Sequence, residues 1–72
     1  MSYNYNKLRG RIVEKFRTQV EFAREMGISE RTMSLKMTNK MPFKQQEISK
    51  AIELLEIDEG EVQSYFFTQE VQ

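Results

Sequence analysis

Seventy-two residues with 39% apolar content are enough for one domain with a single modest core, since a chain of this size buries only about 60% of its unfolded surface. The absence of cysteine and histidine excludes disulfides, thiolate metal sites and histidine-based catalysis, and no apolar run approaches the ~20 residues that a bilayer span requires. Net charge is zero but unevenly spread: residues 1–40 hold nine Lys/Arg and four Glu, a balance of +5, and residues 41–72 hold two Lys and seven acids, a balance of −5.

In chain order, the first apolar stripe is Tyr5, Leu8, Ile12 and Phe16 with Val13 at its edge, a helical spacing that Asn4 or Asn6 can cap. Gly10 weakens this helix by about 1 kcal/mol relative to alanine. Only Arg17 and Thr18 precede the next element, so the first two helices should pack as close neighbours. Thr18 and Glu21 form a T-x-x-E capping box that starts a second helix at Gln19, with Phe22, Ala23 and Met26 on one face. Gly27 ends it in a left-handed C′ conformation, Ile28 supplies the accompanying apolar contact, and the small Ala23 permits a close helix crossing. Ser29 then caps a third helix that directs Met33 and Met37 inward.

Pro42 breaks the chain into a loop over Asn39 to Phe43. Ile48, Ala51, Ile52 and Leu55 then follow the i, i+3, i+4, i+7 pattern of a fourth helix from about Lys44 to Leu55. Asp58 and Glu61 make a second capping box for a short fifth helix carrying Val62, Tyr65 and Phe66, and Thr68 to Gln72 reads as a frayed tail. No segment alternates with period two. The expected architecture is therefore all-α: one compact five-helix domain over residues 1–72, with a helix-turn-helix at helices 2 and 3.

Catalytic chemistry finds little support. Asp58, the only aspartate, is explained by its capping role. Glu53 and Glu56 are either a carboxylate pair or a solvated face, residues 58–61 lack the twelve-residue spacing of a calcium loop, and no phosphate-cradling glycine loop occurs. A non-enzyme without metal, cofactor or small-molecule substrate is expected. The polar N-terminal MSYNYNKLRG has no apolar signal region, which predicts a cytoplasmic, non-membrane protein. The charge split is either solvated charge distributed by chance or a basic half suited to a polyanion beside an acidic half suited to solubility or protein contacts.

Thr18, Gln19, Phe22, Ala23, Gly27, Ile28, Ser29, Thr32, Met33, Ser34 and Asn39, with the Pro42–Phe43 loop, carry a resemblance to the lambda-repressor-like helix-turn-helix family over essentially the whole chain. More narrowly, the stretch ISERTMSLKMTNKMPFK is similar to the lytic-side antirepressors, or modulators of repression, of lactococcal temperate phages. The resemblance implies a lysis/lysogeny regulator in the host bacterial cell that binds the phage immunity repressor through its helix-turn-helix surface and modulates or blocks operator binding. Operator DNA would then be contacted directly or through the repressor. The alternative it implies is a Cro-type repressor that binds operator DNA itself as a dimer.

In this family the third helix enters the major groove, so Ser29, Glu30, Arg31, Ser34 and Leu35 would face outward. Gln19 would contact backbone or base beside them, and Asn39 and Lys40 would meet phosphates. Arg31 is either a guanine reader or a solvated side chain. Glu30 is repelled by phosphates but favours the positive end of its own helix. Leu35, lying between the inward Met33 and Met37, and Val20, beside Gln19, are apolar on the expected reading face. That pairing suits either a protein contact or peripheral packing. For a dimer, only Tyr65, Phe66, Phe67 and Val71 offer apolar surface, with Phe67 the best candidate for an exposed ring.

Overall fold

Helix α1 (Asn6–Phe16) begins, in the computed structural model, which describes residues 2–70, where the Asn4 Oδ1 accepts the Asn6 amide at 2.9 Å. Its inward stripe is buried at Tyr5, Leu8 and Ile12, and Val13 at the stripe's edge stays 59% exposed. Gly10 faces open space, with nothing within 4 Å of the position that a Cβ would take. Gly10→Ala is therefore expected to stabilise the domain by roughly 0.5–1 kcal/mol by removing backbone entropy from the unfolded chain. Thermal unfolding followed by circular dichroism measures this, and an unchanged or lower midpoint would count against it.

The turn into α2 (Gln19–Met26) is tighter than the sequence suggests. Arg17 adopts φ 70° and ψ −44°, and the Thr18 amide donates to the Phe16 carbonyl at 2.8 Å, a three-residue turn that strains a non-glycine residue by about 1–3 kcal/mol. Packing of α1 on α2, with the Phe16 and Phe22 rings 5.4 Å apart, holds it. Only half of the expected capping box forms. The Thr18 hydroxyl accepts the Glu21 amide at 3.2 Å, whereas the Glu21 carboxylate turns to Arg24 instead of returning to the Thr18 amide.

Gly27 behaves as its position requires. At φ 77° it lets its own amide bond the Arg24 carbonyl and the Ile28 amide bond the Ala23 carbonyl, both at 3.1 Å, closing a Schellman motif. Helix α3 (Glu30–Met37) follows after Ser29, whose Oγ accepts the Thr32 amide at 3.1 Å. Two further helices stop in the same way without glycine, α3 at Asn39 (φ 66°) and α4 at Glu56 (φ 52°). In each, the amide of the following residue reaches back five residues, Lys40 to Leu35 and Ile57 to Ile52.

Helix α4 spans Gln45–Leu55, with Lys44 as its N-cap residue, and a 3-10 turn at Glu59–Glu61 leads into α5 (Val62–Phe66). The Asp58–Glu61 capping box does not form, because Asp58 makes no side-chain cap bond and the turn is closed by its backbone carbonyl accepting the Glu61 amide at 2.9 Å. The five α-helices enclose one core to which each contributes: Leu8 and Ile12, Phe22 and Met26, Met33 and Met37, Ala51 and Leu55, and Phe66. The fold is all-α.

Of the expected frayed tail, residues 68–70 are instead tied to the N-terminal segment, and residues 71–72 lie outside the described residues. Asn4 donates to the Thr68 carbonyl at 2.7 Å and Glu70 to the Ser2 carbonyl at 3.1 Å, bracketing an antiparallel bridge between Tyr3 and Gln69. The tail is tied because Phe67, 43% exposed, stands edge-on against Tyr3 at 5.8 Å and brings the two termini together. Of the apolar surface considered for a dimer, Phe66 belongs to the core, Tyr65 is half-buried, and Val71 lies outside the described residues.

Candidate functional site

Alpha-helical geometry sorts the residues of α3 into two faces. Met33, Lys36 and Met37 are buried, leaving Glu30, Arg31, Ser34 and Leu35 on the opposite side, related by i, i+3 and i+4 steps. Glu30, Arg31 and Ser34 are exposed. Leu35 is half-buried and belongs neither to the core cluster nor to the partly buried apolar residues packed against it. Neither Glu30 nor Arg31 forms an ion pair among the described residues. Ser29, exposed at the start of the helix, donates its hydroxyl to Thr32 Oγ1 at 2.9 Å as well as capping, so its role is already structural. In the first turn of α2, Gln19 is half-buried and Val20 is 39% exposed.

Asn39 and Lys40, paired in sequence, have different fates. The Asn39 side-chain amide clamps the backbone of Tyr3, accepting its N–H and donating to its C=O, both at 2.8 Å. With its left-handed backbone, Asn39 therefore ends α3 and ties that end to the paired termini, rather than offering a free amide to a ligand. Asparagine just after the last periodic residue is a known stop signal, and was legible as such. Lys40 is exposed and has no ion pair among the described residues.

The residue that sequence reasoning missed is Lys36. It is 1% exposed, and its Nζ lies 2.8 Å from Glu47 Oε1 and 2.9 Å from the Pro42 carbonyl, with the Phe43 ring centroid 6.0 Å away. The same Glu47 Oε1 accepts the Lys44 amide at 2.8 Å and so caps α4. Lys36 shares the inward face with Met33 and Met37, and that spacing was the available signal. Burial pushes the Glu47 carboxyl up, but the hydrogen bonds from Lys36 and the Lys44 backbone, with the charges of both lysines, outweigh it and leave the pKa below the usual glutamate value. A carboxylate depressed in the folded state contributes stability that is fully present above its unfolded pKa, about 4.3, and is lost as pH falls through the lower folded value. The melting midpoint should therefore drop on acidification below about pH 4.3, and drop less steeply for Glu47→Gln. Identical acid limbs for the two proteins would refute this assignment.

Cross-links between the halves account for much of the charge split. Lys7 pairs with Glu61 at 3.2 Å, Lys15 with Glu56 at 2.8 Å, and Lys36 with Glu47. The Arg11 Nε bonds the Leu55 carbonyl at the C-terminal end of α4, where a cation is favoured. Among the described residues, the cations without an ion pair include Arg17, Arg31 and Lys40, on or flanking α2 and α3. A face with a few free cations, one carboxylate and a half-buried leucine is chemically mixed, suited to matching another protein surface as well as a phosphate backbone. No group of three potential metal ligands occurs among the described residues.

A family model described as a protein of unknown function (DUF739) matches residues 1–69. The chain is similar to the solution structure of the modulator of repression of the temperate bacteriophage TP901-1 from Lactococcus lactis. The two are 47% identical, the match covers 100% of this chain and 97% of that one, and the TM-score is 0.82. A comparison with curated proteins finds no match.

Proposed function

The chain belongs to the DUF739 family, and from that premise, with its chain-long likeness to a phage modulator of repression, we propose that it is a lysis/lysogeny regulator. It acts in the cytoplasm of a host bacterium by binding the cognate immunity repressor. Its docking surface is the outer face of the helix-turn-helix, formed by Glu30, Arg31, Ser34 and Leu35 of α3, with Gln19 and Val20 of α2 and Lys40 beyond α3. The likeness to the modulator carries the reading. It is supported by Leu35, which is apolar, outside the core and on that face. Glu30 suits the basic DNA-reading surface of a repressor better than it suits phosphates, so docking there would mask the repressor from its operator. The regulator performs no catalysis and needs no cofactor.

One observation favours a second reading, a Cro-type protein that binds operator DNA directly: Arg17, Arg31 and Lys40 form no ion pair among the described residues. A gel-shift titration with switch-region DNA separates the two, run with this protein alone, the repressor alone, and both together. Loss of the repressor–operator band, or its conversion to a new species, at stoichiometric protein supports the modulator. Tight, salt-sensitive binding by this protein alone, with no effect on the repressor, overturns it.

A further inference from the structure

Where the paired termini meet the loop between α3 and α4, the surface is unusually apolar. Met41, 37% exposed, and Phe67, 43% exposed, are two of the four exposed large apolar side chains among the described residues, and both line one hollow of about 340 Å³. Its walls are Tyr3, Tyr5, Phe43, Ile48, Phe66 and Phe67. Edge-on ring contacts fix these walls in place: Tyr3 on Phe67 at 5.8 Å, Tyr5 on Phe43 at 5.4 Å and Phe43 on Phe66 at 5.5 Å. Ligand sites run from about 300 to 1,000 Å³, so this hollow has room for one large apolar side chain and little more.

Two polar groups on it are uncommitted. Tyr5 is 6% exposed, and its hydroxyl makes no hydrogen bond among the described residues. No wholly buried side-chain oxygen among them lacks a partner, so that hydroxyl reaches open space, and the space that Tyr5 lines is this hollow and a polar one beside it. Burial, and after it the neighbouring Tyr3, push the Tyr5 pKa up, which keeps the hydroxyl a proton donor at neutral pH. Lys40, the one charged residue lining the apolar hollow among the described residues, is exposed and has no ion pair. An ammonium and a phenol beside apolar walls suit a carboxylate attached to an apolar group. The adjoining polar hollow, about 230 Å³, shares Tyr3, Tyr5 and Asn39 and carries both Arg9 and Glu70, so it selects no sign of charge. Together the two are longer than one small ligand and match a length of extended chain.

We propose that the hollow between the paired termini and the α3–α4 loop binds a protein segment that presents an aromatic side chain next to a carboxylate. The ring fills the apolar hollow, the carboxylate meets Lys40 with the Tyr5 hydroxyl as a further donor, and the flanking chain crosses the polar hollow. None of Glu30, Arg31, Ser34 and Leu35 lines either hollow, so the site is separate from the outer face of α3 and does not depend on what that face binds. Met41 at the rim adapts to the ring that enters. The walls are already in place, so binding has little ordering cost to meet on this side.

The test is a nuclear magnetic resonance titration of the full chain with three probes: a capped hexapeptide of sequence SSFDSS, its uncharged counterpart SSFNSS, and 3-phenylpropionate. SSFDSS should move the signals of Tyr3, Tyr5, Lys40, Met41 and Phe67 with a Kd on the order of 1 mM. SSFNSS should bind about fivefold more weakly, and 3-phenylpropionate, which has no flanking chain, about tenfold more weakly. Lys40→Ala, a change at an exposed side chain, should abolish the preference for SSFDSS over SSFNSS. Tyr5→Phe removes no hydrogen bond among the described residues, so it should melt as the parent does and bind SSFDSS about threefold more weakly. Absence of shifts at the hollow, equal binding of the two peptides, or a preference that survives Lys40→Ala overturns the proposal. Equal binding of 3-phenylpropionate makes the occupant a small acid, and shifts of the same residues with protein concentration alone make it a second copy of the chain. Either result overturns the protein segment as the occupant.

Discussion

Replacing Glu47 with alanine should lower the melting midpoint by roughly 15–30 °C and leave the protein largely unfolded at 37 °C. The substitution removes the carboxylate that neutralises Lys36, whose Nζ lies 2.8 Å from it and is almost wholly removed from solvent. One partner of a buried pair cannot be deleted at the cost of its net contribution alone, because the surviving ammonium is left with a single carbonyl, that of Pro42. Such losses run to about 3–5 kcal/mol, and a domain of this size shifts by about 4–8 °C for each. The N-terminal cap of α4 goes as well, since the same oxygen accepts the Lys44 amide. Circular dichroism melts at neutral pH measure the effect, and a midpoint within 5 °C of the parent would show that Lys36 finds water or another acceptor without Glu47.

The second large effect concerns binding rather than folding. Leu35→Glu should weaken the complex with the cognate repressor by about 30-fold or more, the range of a central contact worth 2 kcal/mol or above. The fold should tolerate it, because Leu35 contributes nothing to the core cluster and glutamate is a good helix former. A basic partner surface attracts a carboxylate at the rim of an interface. At its centre the charge must be stripped of water while the apolar hollow it replaces stays unfilled, and the second effect prevails. Isothermal titration against the repressor, with a melt of the variant as control, tests this. Unchanged affinity in a folded variant would place Leu35 outside the interface.

Both predictions turn on α3, where neighbouring residues serve opposite ends. Leu35 points outward and its carbonyl anchors the loop, while Lys36 points inward and binds the other side of that loop. The outer face was legible because helical periodicity alone places 30, 31, 34 and 35 opposite Met33 and Met37. The inner face was only partly legible. Position 36 shares the inward arc, but a lysine there reads as solvated until its partner is known, and Glu47 lies eleven residues away on another helix. Asn39 shows the same limit in a milder form: its stop signal was local, and its clamp on Tyr3, thirty-six residues distant, was not.

Local chemistry, then, was sufficient for everything decided within one or two turns of chain: five helices and their approximate ends, the Gly27 corner, the Ser29 cap, the loop at Pro42 and most of the core stripe. These follow from backbone sterics and hydrophobic period, which act between residues a few positions apart. Tertiary structure alone decided the pairing of the termini, the strain at Arg17, the pairing of Lys7, Lys15 and Lys36 of the basic half with Glu61, Glu56 and Glu47 of the acidic half, and the burial of Lys36. Each depends on which distant group a side chain meets once the helices have packed, and in a low-dielectric interior that partner determines whether a charge is excluded or held.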